Sequence, residues 1–289
     1  MSKRIAIASC REKDQFVVED DPVLAAAFES RGHAASIIDW DDTEADWASM
    51  DALLIRTTWD IVDRMDEFVP WLEHVESVST LINPLEVLRT NFDKGYLKTL
   101  AENDVPIVPS VFIEPDEFVE PSKVAAELEW DRVAVKPQLG AAAVGLLVGN
   151  HTDPRINEHA KQLSTAGPFV IQPFIENVTE VGEMSVVIIN GEFSHAVRKT
   201  PAAGDIRVQC EYGGRYELAE PTPRAVEVAR AAYACFPDSA MYARIDLLNP
   251  DGENPMVIES ELVEPELFFR MTEAGTTRFV EAVLARLGG

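Results

Sequence analysis

Three carboxylates and an arginine stand at alternate positions in two neighbouring segments near the C-terminal end of this 289-residue chain. Arg244 and Asp246 lie in one largely apolar run, and Glu259 and Glu261 lie in the next. A turn rich in Asn, Pro, Asp and Gly separates the two runs, so the pattern predicts a β-hairpin over residues 242–262. Because side chains alternate along a strand, the four charged groups are expected on one face of that hairpin.

The chemistry of this face follows from the opposition of like charges. A hairpin symmetric about its turn pairs Asp246 with Glu259 and Arg244 with Glu261, and like charges directly opposed destabilise a sheet. Arg244 offsets one negative charge, and a divalent cation would offset the rest. Oxygen-only ligands suit Mg²⁺, which typically shares one or two carboxylates with substrate phosphates. The spacing alone is equally compatible with a solvated outer face on an acidic protein.

The rest of the chain must position the hairpin. Over its first 85 residues, strand and helix patterns alternate. This alternation indicates a parallel sheet covered by helices. Lys94 in a predicted helix, and Lys136 at a strand end before a loop rich in Gly and Ala, could each place a point charge on phosphate oxygens. Alone, each lysine is better explained as a solvated surface charge. As an ordered pair upstream of the hairpin, the two lysines favour a phosphate site.

The charge balance narrows the range of partners. Asp and Glu number 50 against 25 Lys and Arg, a formal net charge of −25, and such a surface repels nucleic acid and anionic lipid. Neither is an expected partner. Three cysteines without a CxxC spacing argue for a reducing compartment, and the apolar run at residues 5–10 is too short for a signal peptide. A cytoplasmic protein is therefore expected.

The hairpin residues resemble the magnesium site of the ATP-grasp superfamily, the fold of D-alanine–D-alanine ligase and glutathione synthetase. In that pattern an Arg-x-Asp strand is followed by a strand carrying Glu-x-Asn or Glu-x-Glu, as in Arg244-Ile-Asp246 and Glu259-Ser-Glu261. The resemblance implies that Asp246, Glu259 and Glu261 hold Mg²⁺ and that Arg244 contacts the transferring phosphoryl group. It also implies an α/β (α+β) chain of three lobes: an N-terminal parallel-sheet pre-ATP-grasp lobe (1–88), a small central lobe (89–168) and a C-terminal mixed-sheet lobe (169–289).

Motifs upstream of the hairpin resemble the nucleotide-binding segments of the same superfamily. Lys94 and Lys136 match its two phosphate-side lysines, and the segment 169–175 resembles the one that meets adenine. Glu183 resembles the acidic residue near the ribose; its competing interpretation is an ion pair with Arg198, across the hairpin predicted at Asn190-Gly191. The resemblance thus implies ATP as a cofactor, contacted by five residues: Lys94, Lys136, Gln172, Ile175 and Glu183.

Three further motifs resemble glutathione synthetase and the glutamate ligases that modify ribosomal proteins. Arg198-Lys199-Thr-Pro and Gly204-Asp-Ile-Arg207 imply that Lys199 contacts phosphate and that Arg207 steadies an acyl-phosphate. Gly213 and Gly214 follow and imply substrate contact. Fixed cations at developing charge are a usual means of catalysing phosphoryl transfer.

The motifs of the first lobe look most like those of the O-ureido-D-serine cyclo-ligases that form cycloserine. Arg56-Thr-Thr-Trp-Asp60 is the main one, and ligands of open α/β sheets tend to bind where such strands end. Arg56 and Arg11 are therefore candidates for holding a small amino-acid-like substrate.

The resemblance as a whole implies an ATP-dependent carboxylate–amine ligase that forms an acyl-phosphate and then closes a C–N bond. It also implies a Mg²⁺ site and is compatible with a homo-oligomer. The alternative is a non-catalytic ATP-binding regulatory or scaffold protein. Retention of the full set of charged motif residues argues against that alternative.

Overall fold

An all-parallel sheet forms the first lobe, with strand order β2-β1-β3-β4. The computed structural model describes residues 1–10, 20–115, 117–140 and 143–288, and Arg11 lies outside them. Strands β1 and β3 are almost entirely buried, and four of the six residues in each are apolar, as expected for parallel strands covered on both faces. The elements of this lobe are β1 (Arg4–Ser9), α1 (Asp20–Glu29), β2 (Ala34–Asp39), β3 (Ala52–Thr57), α2 (Met65–Val78), β4 (Thr80–Ile82) and α3 (Leu85–Arg89).

The central lobe is an antiparallel sheet of order β5-β8-β6-β7, with two helices packed against it. Its elements follow the linking helix α4 (Tyr96–Glu102) and are β5 (Val111–Ile113), α5 (Pro121–Glu127), β6 (Arg132–Pro137), β7 (Leu147–Asn150), α6 (Pro154–Ala166) and β8 (Phe169–Pro173). The predicted lobe boundary at residue 168 is wrong for β8, because this strand pairs with β5 and β6 and buries its apolar side chains in the core of the central lobe.

The C-terminal lobe carries a five-stranded sheet of order β11-β10-β9-β12-β13. All pairings among its five strands are antiparallel, so the predicted mixed sheet is corrected. Hairpins join β9 to β10 and β12 to β13, whereas a helix lies between β11 and β12 in the chain. The elements are β9 (Glu183–Ile189), β10 (Glu192–Thr200), β11 (Arg215–Ala219), α7 (Pro223–Tyr233), β12 (Tyr242–Leu248), β13 (Met256–Glu261) and α8 (Glu273–Arg286).

Short 3₁₀ turns complete the secondary structure, at Trp47–Ser49, Ile61–Asp63, Glu176–Thr179, Cys210–Tyr212 and Phe269–Met271. Among the described residues, every helix is too short or too polar to span a bilayer.

One continuous hydrophobic core joins the first and third lobes. Ile5 and Leu24 of the first lobe pack in the same cluster as Tyr242 of β12 and Phe279 of α8. The side chain of Asn83 adds polar contacts, donating to Tyr242 O at 2.9 Å and accepting from Met241 N at 2.6 Å. The base of the β12–β13 hairpin is therefore anchored on the first lobe.

Candidate active site

Strands β12 and β13 pair in the predicted register, with Asp246 opposite Glu259 and Arg244 opposite Glu261. Carboxylate oxygens of Asp246, Glu259 and Glu261 all lie within 4.8 Å of one another. A β-bulge shifts the register between Asp246 and Leu247, a kind of irregularity that often re-aims side chains beside active sites. The charged face lines a cavity, so the alternative of a solvated outer face is wrong.

Each carboxylate of this face has a cationic partner. Arg244 pairs with Asp246 at 3.0 Å and also with Glu261, while Lys199 pairs with Asp246 at 3.1 Å. Ser185 donates a further hydrogen bond of 2.6 Å to Asp246. Burial alone would raise the pKa of Asp246, but Arg244 and Lys199 outweigh it and hold that pKa below its usual range. Asp246 is therefore ionised near neutral pH.

Glu259 pairs with Lys94, whose Nζ lies 2.9 Å from the carboxylate and also donates to Gly140 O at 2.6 Å. Burial lowers the pKa of Lys136 to about 8, although Glu259 opposes the shift. Burial raises the pKa of Glu261 to about 8 in spite of Arg244. Lys136 and Glu261 of the site therefore have pKa values near neutral pH, where a bound ligand could change their charge.

Glu183 pairs with Lys199, so the predicted pairing with Arg198 is wrong. A register shift between Phe193 and His195 moves every later residue of β10 by one position, and a shift of one exchanges the two faces of a strand. Arg198 instead contacts Val181 O and Asp251. The shift places Lys199 rather than Arg198 against the carboxylate cluster.

A cavity of about 600 Å³ runs from this cluster between the three lobes. Its walls include all predicted metal ligands, all predicted nucleotide contacts and the three predicted catalytic cations: Asp246, Glu259, Glu261, Lys94, Lys136, Gln172, Ile175, Glu183, Lys199, Arg207 and Arg244. Side chains distant in sequence are thus brought together around one cavity.

The cavity wall does not include Arg56 or the two glycines predicted to touch substrate. Arg56 is buried, donates to Pro265 O at 2.5 Å and lies 5.5 Å from the ring centroid of Phe269. Gly213 adopts a φ of 83°, and a Cβ on Gly214 would lie 2.0 Å from Val208 O. In this structure Arg56 therefore fixes the position of the segment after β13. Gly213 allows a positive φ angle, and Gly214 allows the close approach of another backbone segment.

Several other residues of the cavity wall were not predicted as site residues from the sequence. Glu264, Glu266 and Tyr216 line the wall, and Trp59 donates to Glu264 O at 3.2 Å. Burial raises the pKa of Glu264 to about 7. The Glu-Leu-Val-Glu-Pro run from Glu261 to Pro265 was the available signal, because it places Glu264 three residues beyond the last predicted metal ligand.

Known proteins resemble this chain in both sequence and fold. Residues 5–83 match the N-terminal domain family of D-cycloserine synthetase DcsG, and residues 120–250 match the ATP-grasp domain family of prokaryotic glutathione synthetase. The cycloserine biosynthesis protein DcsG of Streptomyces lavendulae is 30% identical over 280 residues, covering 93% of this chain and 94% of that protein.

Two solved structures extend the comparison. The crystal structure of D-cycloserine synthetase DcsG superposes with a TM-score of 0.85 at 27% identity, over 98% of this chain and 99% of that one. D-alanine–D-alanine ligase from Bacillus anthracis complexed with ATP shares the fold, with a TM-score of 0.64 at 14% identity over 99% and 97% of the two chains. Enzymes of this superfamily use ATP and Mg²⁺. The chain described here belongs to the ATP-grasp ligases, in the family of the cycloserine biosynthesis protein DcsG.

Proposed function

We propose that this protein is an ATP- and Mg²⁺-dependent cyclo-ligase that activates the carboxylate of a small amino-acid derivative and closes a C–N bond within the same molecule. The observation that carries the proposal is the convergence of Asp246, Glu259 and Glu261 with a set of lysines and arginines in one cavity between three lobes. Likeness to D-cycloserine synthetase over nearly the whole chain supports the intramolecular form of the reaction.

The carboxylate cluster fits Mg²⁺ by its donor set and spacing. Asp246, Glu259 and Glu261 supply oxygen donors only, which Mg²⁺ prefers. Lys94 and Arg244 now neutralise these acids, and phosphate oxygens arriving with the metal would offer the two cations new partners. Bound there, Mg²⁺ would neutralise charge on the phosphates as the phosphoryl group moves.

The nucleotide would lie in the same cavity, beside the carboxylate cluster. Lys94 and Lys136 would contact phosphate oxygens, and Ile175 and Gln172 would contact the adenine. Gln172 donates to Ser110 Oγ at 2.8 Å, while its Oε1 is buried with no hydrogen-bond partner among the described residues. A buried acceptor without a hydrogen-bond partner lowers the stability of the fold, and the exocyclic amine of adenine could donate to it.

Further cations and acids that line the cavity suit the acyl-transfer half of the reaction. Lys199 and Arg244, which pair with Asp246, would face the transferring phosphoryl group, and Arg207, which now pairs with Asp205 at 2.8 Å, also lines the cavity. Glu264 and Glu266 line the same cavity and suit a substrate ammonium group. A carboxylate and an ammonium on one small molecule match this division of charge.

The proposed reaction balances in two steps. A carboxylate oxygen of the substrate attacks the γ-phosphorus of ATP, the bond to the β-phosphate oxygen breaks, and ADP leaves. A nitrogen of the same molecule then attacks the acyl carbon and loses a proton, and inorganic phosphate leaves with the former carboxylate oxygen. Positioning and electrostatic stabilisation by fixed cations supply most of the catalysis in such phosphoryl transfers.

A substrate panel tests the proposal. O-ureido-D-serine, its L enantiomer, other O-substituted serines and simple amino acids are incubated with ATP and Mg²⁺, and ADP release is scored alongside mass detection of products. We expect ADP release with one of the O-substituted serines, together with a product lighter than that substrate by one water molecule. Nucleotide binding without ADP release from any member would favour the regulatory or scaffold alternative.

The lowered pKa of Lys136 predicts proton uptake on nucleotide binding. With a pKa of about 8, Lys136 is mostly neutral at pH 9, and phosphate oxygens favour its charged form. ADP binding should therefore take up a proton above pH 8 and weaken as pH rises. Calorimetric titrations in buffers of different ionisation enthalpy measure this uptake. The K136R variant should lose it, and an unchanged uptake in that variant would assign the proton to another group.

A further inference from the structure

Strand β13 is the outer strand of its sheet, so the backbone groups on its open edge need partners from elsewhere. At the start of the strand an extended connector supplies them: Val108 N donates to Val257 O at 3.0 Å, and Val257 N donates to Pro106 O at 2.8 Å. This main-chain pairing is a single parallel bridge, at Ile107 and Val257. Further along the edge, the partners are side chains.

Asn91 closes the part of the edge that carries the carboxylates. Its Nδ2 donates to Ser260 O at 2.8 Å, and its Oδ1 accepts from Leu262 N at 2.7 Å. One primary amide thereby offers the donor and acceptor that a residue of a neighbouring strand would offer. Tyr96 completes the arrangement, because its hydroxyl oxygen accepts from Ser260 N at 2.9 Å. Asn91 and Tyr96 are both buried, so water does not compete strongly for these bonds.

The residue fixed in this way lies between two predicted metal ligands. Ser260 is flanked by Glu259 and Glu261, whose side chains project from the opposite face of the strand to its own. The backbone of Glu259 and Glu261 pairs with β12, while the backbone of Ser260 and Leu262 is held from the other side by Asn91. Hydrogen bonds on both edges restrain rotation of β13 about its own axis, and this restraint keeps the two carboxylates directed toward Asp246.

We propose that Asn91 is a positioning residue for the metal site, acting through the backbone of Ser260 and Leu262 on the direction of Glu259 and Glu261. The proposal rests on the proposed function, since it takes the carboxylate cluster to bind Mg²⁺. The Asn91 side chain hydrogen-bonds to the backbone of Ser260 and Leu262 and not to the three carboxylates, so its effect on them is indirect. Outer groups that orient metal ligands commonly contribute 10- to 100-fold to metal affinity, about the size expected here.

Metal binding measured without turnover tests this role. Mn²⁺ serves as a paramagnetic substitute for Mg²⁺, and its binding to the protein with saturating ADP is followed by electron paramagnetic resonance. We expect the apparent Kd of Mn²⁺ to rise about 10- to 100-fold in N91A, with the affinity for ADP alone changed far less. Hydrogen exchange at the Leu262 amide should accelerate in the same variant, because its acceptor is gone.

Two further variants keep the test decisive if N91A fails to fold. N91D retains the acceptor for Leu262 N but replaces the donor to Ser260 O with an oxygen, so a large rise in the Kd of Mn²⁺ is expected. Y96F removes only the acceptor for Ser260 N and should give a smaller rise in the same direction. The matched control is N157A, because Asn157 likewise bridges through both amide atoms, to Ser122, but lies in the central lobe.

The outcomes separate the two proposals. If the wild type binds Mn²⁺ and the Asn91 variants bind it equally well despite faster exchange at Leu262, Asn91 only closes the sheet edge and the positioning role is overturned. If N157A weakens Mn²⁺ binding as much as N91A, the effect is general destabilisation and the role is again overturned. If wild-type protein shows no Mn²⁺ binding that E259Q removes, the metal assignment itself fails, and the positioning role fails with it.

Discussion

Replacing Glu259 with Gln is expected to lower the rate of ADP formation by about 10³-fold while the protein stays folded, because metal ions contribute several kcal/mol to such transition states. The amide keeps the shape of the side chain and one acceptor oxygen but loses the charge that opposes Mg²⁺. Lys94, now 2.9 Å from the carboxylate, would then carry an unbalanced charge next to the metal position. Initial rates at several Mg²⁺ concentrations, with circular dichroism for the fold, measure the effect.

The hairpin offers a matched control for this variant. Glu253 lies in the turn between β12 and β13 and is exposed, so Glu253→Gln removes an equal charge from the same hairpin at a distance from the cavity. E253Q should retain wild-type rates. An active E259Q enzyme with ordinary Mg²⁺ dependence would refute the assignment of the carboxylate cluster as the metal site.

Replacing Arg244 with Lys is expected to lower kcat by about 10²-fold or more, since removal of one fixed donor from a developing charge has an effect of that size. The charge is conserved, but a lysine cannot span Asp246 and Glu261 with a planar fork as Arg244 does. Nucleotide affinity should change much less than kcat, because the interaction that is lost acts mainly on the transferring group. Single-turnover rates with equilibrium binding of ADP separate the two quantities.

Arg198→Lys is the control for charge-conserving substitution on the same sheet. Arg198 is next to Lys199 on β10, but its guanidinium contacts Val181 O and Asp251 and is not part of the cavity wall. R198K should keep kcat within about twofold of wild type, as surface ion pairs contribute little. Equal losses in R198K and R244K would point to a general response of the sheet rather than to a role for Arg244 in the reaction.

The sequence predicted the parts of the site that depend on local pattern. The register of β12 and β13 followed from alternation and a symmetric turn, and the bulge lies beyond the charged pairs, so Asp246 and Glu259 were placed correctly. The competing interpretation of Glu183, an ion pair with Arg198, was wrong because the bulge in β10 cannot be recognised from the alternation of residue types. Periodicity describes an ideal strand and says nothing of where an extra residue is inserted.

Features that depend on tertiary contacts could not be predicted from the sequence. Arg56 was expected to touch substrate because it ends a parallel strand, yet it turns inward to Pro265 O and the Phe269 ring. Strand β8 looked like the first strand of the last lobe, and only its pairing with β5 and β6 shows otherwise. Glu264 reaches the cavity because contacts from other lobes set the path of the segment after β13.

The continuous core of the first and third lobes has a consequence for how the chain melts. Ile5, Leu24, Tyr242 and Phe279 share one cluster, whereas residues 111–171 of the central lobe pack around a cluster of their own. Unfolding of the N-terminal sheet would expose apolar side chains of the C-terminal lobe to water. We therefore expect these two regions to unfold as a single cooperative unit despite their separation along the chain. The central lobe forms the second unit, and a calorimetric trace should resolve two transitions that merge when a nucleotide bridges them.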